Sequence, residues 1–271
     1  MSVYRIVQGD GPLVVSMPHV GTLIPAEVAD RMTEAGRGVP DTDWHVDRLY
    51  ADILDDLSIP RIAATFSRYV VDLNRPPDGA PLYPGAPETE LCPTTTFEEA
   101  PIYAEGQTPG EAEIESRRRD YWQPYHLALA QLLLQAKDRY GIAVLWDAHS
   151  IRSHVPRFFD GKLPDLNLGS RGGTSCADGL LTRLAEVARE AEAETGISHV
   201  VDGRFKGGFI TKSYGRPDEN THAVQLELSQ ATYMDEAPPW TFREDLADGI
   251  RPVLRRMLET ARDWALAQAK G

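Results

Sequence analysis

Short apolar, β-rich runs alternate along this chain with longer stretches whose apolar residues recur every three or four positions. That alternation predicts an α/β fold with a largely buried sheet, because strands covered on both faces read as continuous apolar runs. Leu13-Val14-Val15-Ser16-Met17 is a first buried strand, ended by Pro18. Val46, Leu49, Tyr50, Ile53 and Leu57 give residues 44–57 helical spacing, with Asp41 or Asp43 as the cap. Residues 61–64 and 69–73 read as two more strands, and 142–146 as a buried strand leading directly into Asp147-Ala148-His149-Ser150. Further strands are expected at 199–201 and 223–228, and helices at 111–140 (kinked at Pro124), 178–194 and 242–269. The stretches 76–110 and 152–174 lack sustained periodicity and read as loops. A loop as long as the first, inside a compact unit, is functional or a lid. With no internal repeat and no linker-like shift, residues 1–271 are expected to form a single domain.

Composition narrows the function classes. The formal charge of −13 argues against nucleic acid as a partner, since a polyanion needs a basic face. A small anion remains compatible, provided a few arginines are focused in a cleft. Cys92 and Cys176 are too few for a disulfide framework and are expected as free thiols. Neither a secretory signal nor an apolar run of the ~20 residues needed to span a bilayer is visible, so a cytoplasmic protein without a membrane partner is expected.

The chemistry-bearing residues sit where strands end, the place where open α/β sheets bind ligands. His19 follows the first strand in Pro18-His19-Val20-Gly21, and His149 follows a later one. Asp41, Asp43 and Asp47 gather at the mouth of a helix, with His45 among them as an exposed helical residue. Two histidines, one carboxylate and an open position make up a usual catalytic zinc centre, yet each histidine alone also reads as a hydrogen-bonded structural residue. Asp43 is the preferred acid of the three, because it lies at the helix start nearest the sheet edge. Glu227 interrupts an apolar strand in Gln225-Leu226-Glu227-Leu228-Ser229 and needs a partner if buried ionised. It reads either as half of a salt bridge or as a general base. In the segment from Ser67 to Pro76, Arg68, Asn74 and Arg75 offer grips for a carboxylate, unless Asp72 and Arg75 simply pair. Arg171, among glycines, and Lys206, Lys212 and Arg216 form two further basic groups. The glycines at 169, 172 and 173 lack the Gly-x-x-x-x-Gly-Lys pattern of a phosphate loop.

Taken together, Ser16 to Gly21, Asp43 to Leu49, Ser67 to Arg75, Trp146 to Ser150 and Gln225 to Ser229 resemble the N-formylglutamate amidohydrolase family, in the family's order. The resemblance runs from about Pro12 to Glu236, and Ser67 to Arg75 is its most specific string. It implies a zinc-exopeptidase-like fold, a mixed, mostly parallel sheet between helices in three layers. It further implies one zinc ion on His19, Asp43 and His149, Glu227 as base, and Asn74, Arg75 and Arg68 on substrate carboxylates, with Arg171 or Arg216 on the second one. The chain departs from the wider group's His-x-x-Glu motif, having Thr22 in the glutamate's place, so the acidic ligand must come from elsewhere. The implied reaction converts N-formyl-L-glutamate to formate and L-glutamate, a step of histidine degradation. Another N-acyl amino acid or cell-wall amide, or a non-catalytic carboxylate binder, are the alternatives.

Overall fold

The computed structural model describes residues 1–82, 85 and 87–269. The chain opens with β1 (Tyr4–Val7), β2 (Leu13–Met17), short helices α1 (Ala26–Ala29) and α2 (Glu34–Arg37), then α3 (Val46–Asp56) and β3 (Arg61–Ala64). After a long irregular stretch come α4 (Glu111–Arg117), a π-helical turn (Arg118–Trp122), α5 (Gln123–Tyr140) and β4 (Ala143–Ile151). β5 (Leu166–Gly169), α6 (Asp178–Thr195), β6 (His199–Val201), α7 (Phe209–Tyr214), β7 (Thr221–Ser229) and α8 (Glu244–Gln268) follow.

The strands form one sheet in the order β1-β3-β2-β4-β7-β5-β6. All pairs are parallel except β1–β3 and β5–β7. Side chains alternate across a strand, so each strand feeds two cores. Val144, Trp146, Leu226 and Leu228 pack with α3, α6 and α8, whereas Ala143, Leu145 and Ala223 pack with α5 on the other face. The result is the expected three-layer, mixed and mostly parallel α/β arrangement. No helix among the described residues is long and apolar enough to cross a membrane.

Several elements depart from the sequence reading for physical reasons. Residues 69–73 are apolar because they are buried, but they fold as tight turns rather than a strand. Val70 donates to the Ser67 carbonyl (2.9 Å) and Arg75 to that of Asp72 (3.2 Å). Buried irregular backbone needs partners, and the buried guanidinium of Arg117 supplies them at the carbonyls of Val70 (3.0 Å) and Tyr69 (3.4 Å). β4 runs on through Ile151, so Asp147 and His149 lie within the strand rather than beyond it. β5 lies inside the stretch read as a loop at 152–174, and β1 precedes the first predicted strand. Neither Asp41 nor Asp43 caps α3; His45 occupies that position with φ +62° and no side-chain cap. The expected kink at Pro124 is the π-helical turn just before it, and the proline sits in the first turn of α5, where a missing N–H is tolerated. Among the described residues of 76–110 no strand or helix forms; Tyr83, Pro84 and Ala86 of that proposed lid lie outside them.

The π turn points Trp122 so that its indole N–H donates to the Arg75 carbonyl (3.1 Å) and its ring stacks on His126 at 3.8 Å. His126 donates Nε2–H to the Leu73 carbonyl (2.8 Å), and burial pushes its pKa down from 6.5 to about 4. The folded state therefore holds a neutral ring that the unfolded chain protonates below about 6.5. This contribution is full above that pH and is lost as the pH falls toward 4, a change of about 3 kcal/mol. His126→Gln keeps a donor toward Leu73 but does not titrate. The wild-type-minus-variant difference in unfolding free energy should shrink by about 3 kcal/mol between pH 7 and 4 in urea titrations. A pH-independent difference would refute this account.

Candidate active site

The register of β4 and β7 sets the site. Asp147 pairs with Gln225 and His149 with Glu227, while Ser16 of β2 and Gly169 and Asn167 of β5 extend the same two rows. The opposite face of these strands carries Trp146, Ala148, Leu226 and Leu228 in the core. A slip of one residue would turn every polar group into that core, so the apolar face fixes the position of the polar one.

His19 and Asp43 reach this face from the segment after β2 and from the turn before α3. His19, Asp43 and His149 each offer a ligand atom within 4.8 Å of the others, and all three are buried. Nδ1 of His149 lies 3.1 Å and Nδ1 of His19 lies 3.7 Å from Oδ2 of Asp43. Both Nε2 atoms face carboxylates, His19 toward Asp72 (2.7 Å) and His149 toward Asp147 (3.0 Å). A carboxylate only accepts, so His19 donates Nε2–H to Asp72, and His149 faces an acceptor at each nitrogen, Asp147 at Nε2 and Asp43 at Nδ1. Metal–ligand bonds of about 2.0–2.2 Å in tetrahedral geometry place ligand atoms roughly 3.3–3.6 Å apart, which this set approaches. The donor set thus fits a divalent cation such as zinc. Asp41 and Asp47 are placed elsewhere: Asp41 accepts from the Tyr69 hydroxyl and from Phe97 N (2.8 Å), and Asp47 pairs with Arg5 (2.9 Å) at the surface.

Charge points the same way. Asp43, Asp72, Asp147 and Glu227 are all buried here, with the buried guanidinium of Arg68 beside them. Burial opposes ionisation of Asp72, but Arg68 (2.6 Å) and His19 outweigh it and hold its pKa well below the usual carboxylate range. Burial also opposes a charged His149, yet Asp147 and then Asp43 outweigh it and hold its pKa well above the ordinary value. For His19 burial prevails, aided by Arg68, and its pKa is lowered. Burial pushes Glu227 up to about 8, with Asp43 adding to the effect and His149 opposing it. A site that keeps a proton on one histidine and on one glutamate is a site short of positive charge.

In front of these groups opens a pocket floored by His19, His149 and Glu227 and walled by Arg68, Asn74, Arg75 and Arg204. The five sequence-nominated binding residues divide. Arg68 lines the pocket but is paired with Asp72. Asn74 is held by the Ile210 amide on its Oδ1 (2.8 Å), and Arg75 donates to the carbonyl (2.8 Å) and hydroxyl (3.1 Å) of Thr89. Arg171 stands one layer back, donating to the Gly207 carbonyl (3.3 Å). Arg216 pairs with Glu219 (3.7 Å) beside Thr221, at the end of β7 opposite Glu227. Lys206 and Lys212 do not line the pocket.

Sequence reading missed Arg204, and it gave no separate role to Gln225, whose amide donates to Glu227 (3.1 Å) and accepts from Gly208 N (2.8 Å). Gln225 was detectable: it lies two residues before Glu227, on the same strand face. Arg204 had no such signal, because it depends on where the segment after β6 crosses the sheet. Gly169 permits that crossing; a Cβ there would sit 2.7 Å from Gly207 N.

The profile of the N-formylglutamate amidohydrolase family matches residues 11–234. The chain is 50% identical over 262 residues to an N-formylglutamate deformylase of Pseudomonas aeruginosa, covering 97% of each chain. It is also 50% identical over 257 residues to the N-formylglutamate deformylase of Pseudomonas putida, covering 95% of this chain and 94% of that one. Among solved structures it resembles an N-formylglutamate amidohydrolase from Ralstonia eutropha, with a TM-score of 0.81 at 27% identity over 97% of this chain and all (100%) of the other. A protein from Agrobacterium tumefaciens shares the fold, with a TM-score of 0.70 at 16% identity over 100% of this chain and 97% of the other.

Gly208 gives a direct test of how Asn74 is placed. A Cβ at Gly208 would lie 2.2 Å from Nδ2 of Asn74. Gly208→Ala should destabilise by about 1–3 kcal/mol as an overpacked contact. In an Asn74→Ala background the same change should cost less than about 0.5 kcal/mol, which a double-mutant cycle measures. Equal costs in both backgrounds would show that Asn74 is not what the glycine accommodates.

Proposed function

The chain belongs to the N-formylglutamate amidohydrolase family, and on that footing we propose that it hydrolyses N-formyl-L-glutamate to formate and L-glutamate, as a step in histidine breakdown. The observation that carries this reading is the buried His19, Asp43 and His149 set beside Glu227, at the floor of a pocket walled by guanidinium groups. His19, Asp43 and His149 would hold one zinc ion, oriented from behind by Asp72 and Asp147. Zinc would supply Lewis acidity, polarising the amide oxygen and acidifying water.

The remaining roles fall to side chains of the chain itself. Glu227 takes a proton from water on its carboxylate and returns it to the leaving nitrogen, from its place on the pocket floor beside His19 and His149. Gln225 fixes the orientation of that carboxyl through its 3.1 Å bond. Asn74 and Arg75 receive a substrate carboxylate, so the amide is presented to the floor of the pocket. Arg68 contributes charge at the wall while remaining bonded to Asp72.

Two experiments test the reading. Glu227→Gln should lower kcat for N-formyl-L-glutamate by on the order of 10²–10⁴ while the bound zinc, measured by elemental analysis, stays unchanged. Near-normal turnover would remove Glu227 from the reaction. Separately, Asp43→Asn should lose both zinc and turnover, and chelator-treated wild type should recover activity on adding zinc. An active metal-free protein would end the zinc assignment.

A further inference from the structure

The proposed substrate carries two carboxylates, and the walls of the pocket offer unequal means of binding them. Arg68 is bonded to Asp72 at 2.6 Å and lies 4.0 Å from Asp43, so much of its charge is used inside the protein. Arg171 is set back behind Gly207, and Arg216 is at the far end of β7. Asn74 and Arg75 together suit one carboxylate. The second needs another cation on the pocket wall, and Arg204 stands there.

Arg204 is built into place by three separate loops. Its Nε donates to the Phe158 carbonyl (2.6 Å) and its Nη2 to the Pro87 carbonyl (3.2 Å). Its guanidinium stacks against the rings of Phe158 (5.8 Å) and Phe205 (5.4 Å). These two bonds to carbonyls set the plane of the guanidinium on the pocket wall. Aromatic walls lower the local dielectric, which strengthens attraction for an anion. Glu88, an acid on the same wall, accepts from Leu82 N at 3.2 Å. From Arg204 the chain continues through Phe205 to Gly208, whose amide bonds Gln225 beside Glu227. The guanidinium therefore belongs to the segment that links the reacting floor to the pocket wall.

We propose that Arg204 is the specificity-determining residue that binds the side-chain carboxylate of the substrate, making the pocket selective for N-formyl amino acids with an acidic side chain. This rests on the amidohydrolase reading and names how that same site selects its substrate.

The test compares N-formyl-L-glutamate with its neutral isostere N-formyl-L-glutamine. In Arg204→Gln, kcat/KM for the glutamate substrate should fall on the order of 10²-fold, mostly through KM, with the glutamine substrate little changed. Arg204→Lys should retain part of the preference for glutamate, because it keeps charge but loses the planar fork. An unchanged substrate ratio, or equal losses on both substrates, would overturn the assignment. Calorimetry with L-glutamate and L-glutamine on wild type and Arg204→Gln decides the question by binding alone. A wild type that binds glutamate through Arg204 but fails to hydrolyse N-formyl-L-glutamate would sink the amidohydrolase reading and leave this one standing.

Discussion

Burying several carboxylates together is the constraint on which the rest of this structure depends. Asp43, Asp72, Asp147 and Glu227 are withdrawn from water around the guanidinium of Arg68. An ionised carboxylate buried without a partner is too costly for a domain whose net stability is about 5–15 kcal/mol. The protein meets this in three ways. Arg68 pairs with Asp72, His149 is held protonated between Asp147 and Asp43, and Glu227 keeps its proton up to about pH 8. A divalent cation on the two histidines and Asp43 would supply the missing positive charge directly, displacing the proton from His149. Metal affinity and the strength of Glu227 as an acid are then two expressions of one charge imbalance.

The fold serves that constraint by division of labour. The central strands β4 and β7 are each nine residues long and almost wholly buried. Their apolar faces lock into the core under α3, α6 and α8, which holds the polar rows on the other face in fixed register. Irregular segments then supply what strands cannot. The turns at 69–73 place Asp72 behind His19 and Asn74 beside His149, held from behind by Arg117. Strands carry His149 and Glu227, and irregular segments carry His19, Asp43 and much of the pocket wall.

Much of this was legible in the sequence, and the exceptions have identifiable causes. The strands read at 13–17 and 223–228 announced themselves as apolar runs broken by polar residues; Gln225 and Glu227 of the second line the pocket, whereas Ser16 of the first bonds the Tyr125 hydroxyl. His19, Asp43 and His149 converge as expected, although Asp43 was chosen by its position rather than by any feature distinguishing it from Asp41. Residues 69–73 misled because full burial, not strand geometry, makes a segment apolar. β5 was lost in a polar stretch because a four-residue strand with Asn167 in it carries too short a pattern to register. Arg171 and Arg216 were nominated by neighbouring glycines and charge, whereas position relative to the sheet decides which arginine enters the pocket. That position is set by crossings such as the one over Gly169, which no local pattern records.

The arginines show why catalytic and recognition residues differ in this respect. Arg68 lies in the most family-specific string of the sequence, and its charge is largely taken up in balancing Asp72 and Asp43. An arginine so used cannot be retuned for a new ligand without disturbing the buried carboxylates. Arg75 and Arg204 are oriented by loop carbonyls instead, so their positions can shift with loop sequence while the strand rows stay intact. A change of substrate within this architecture would therefore fall on residues 75–90 and 152–208, and leave β4, β7 and the histidines as they are. The buried charge balance defines what the site can do to an amide, and the loop-held guanidinium groups define which amide it receives.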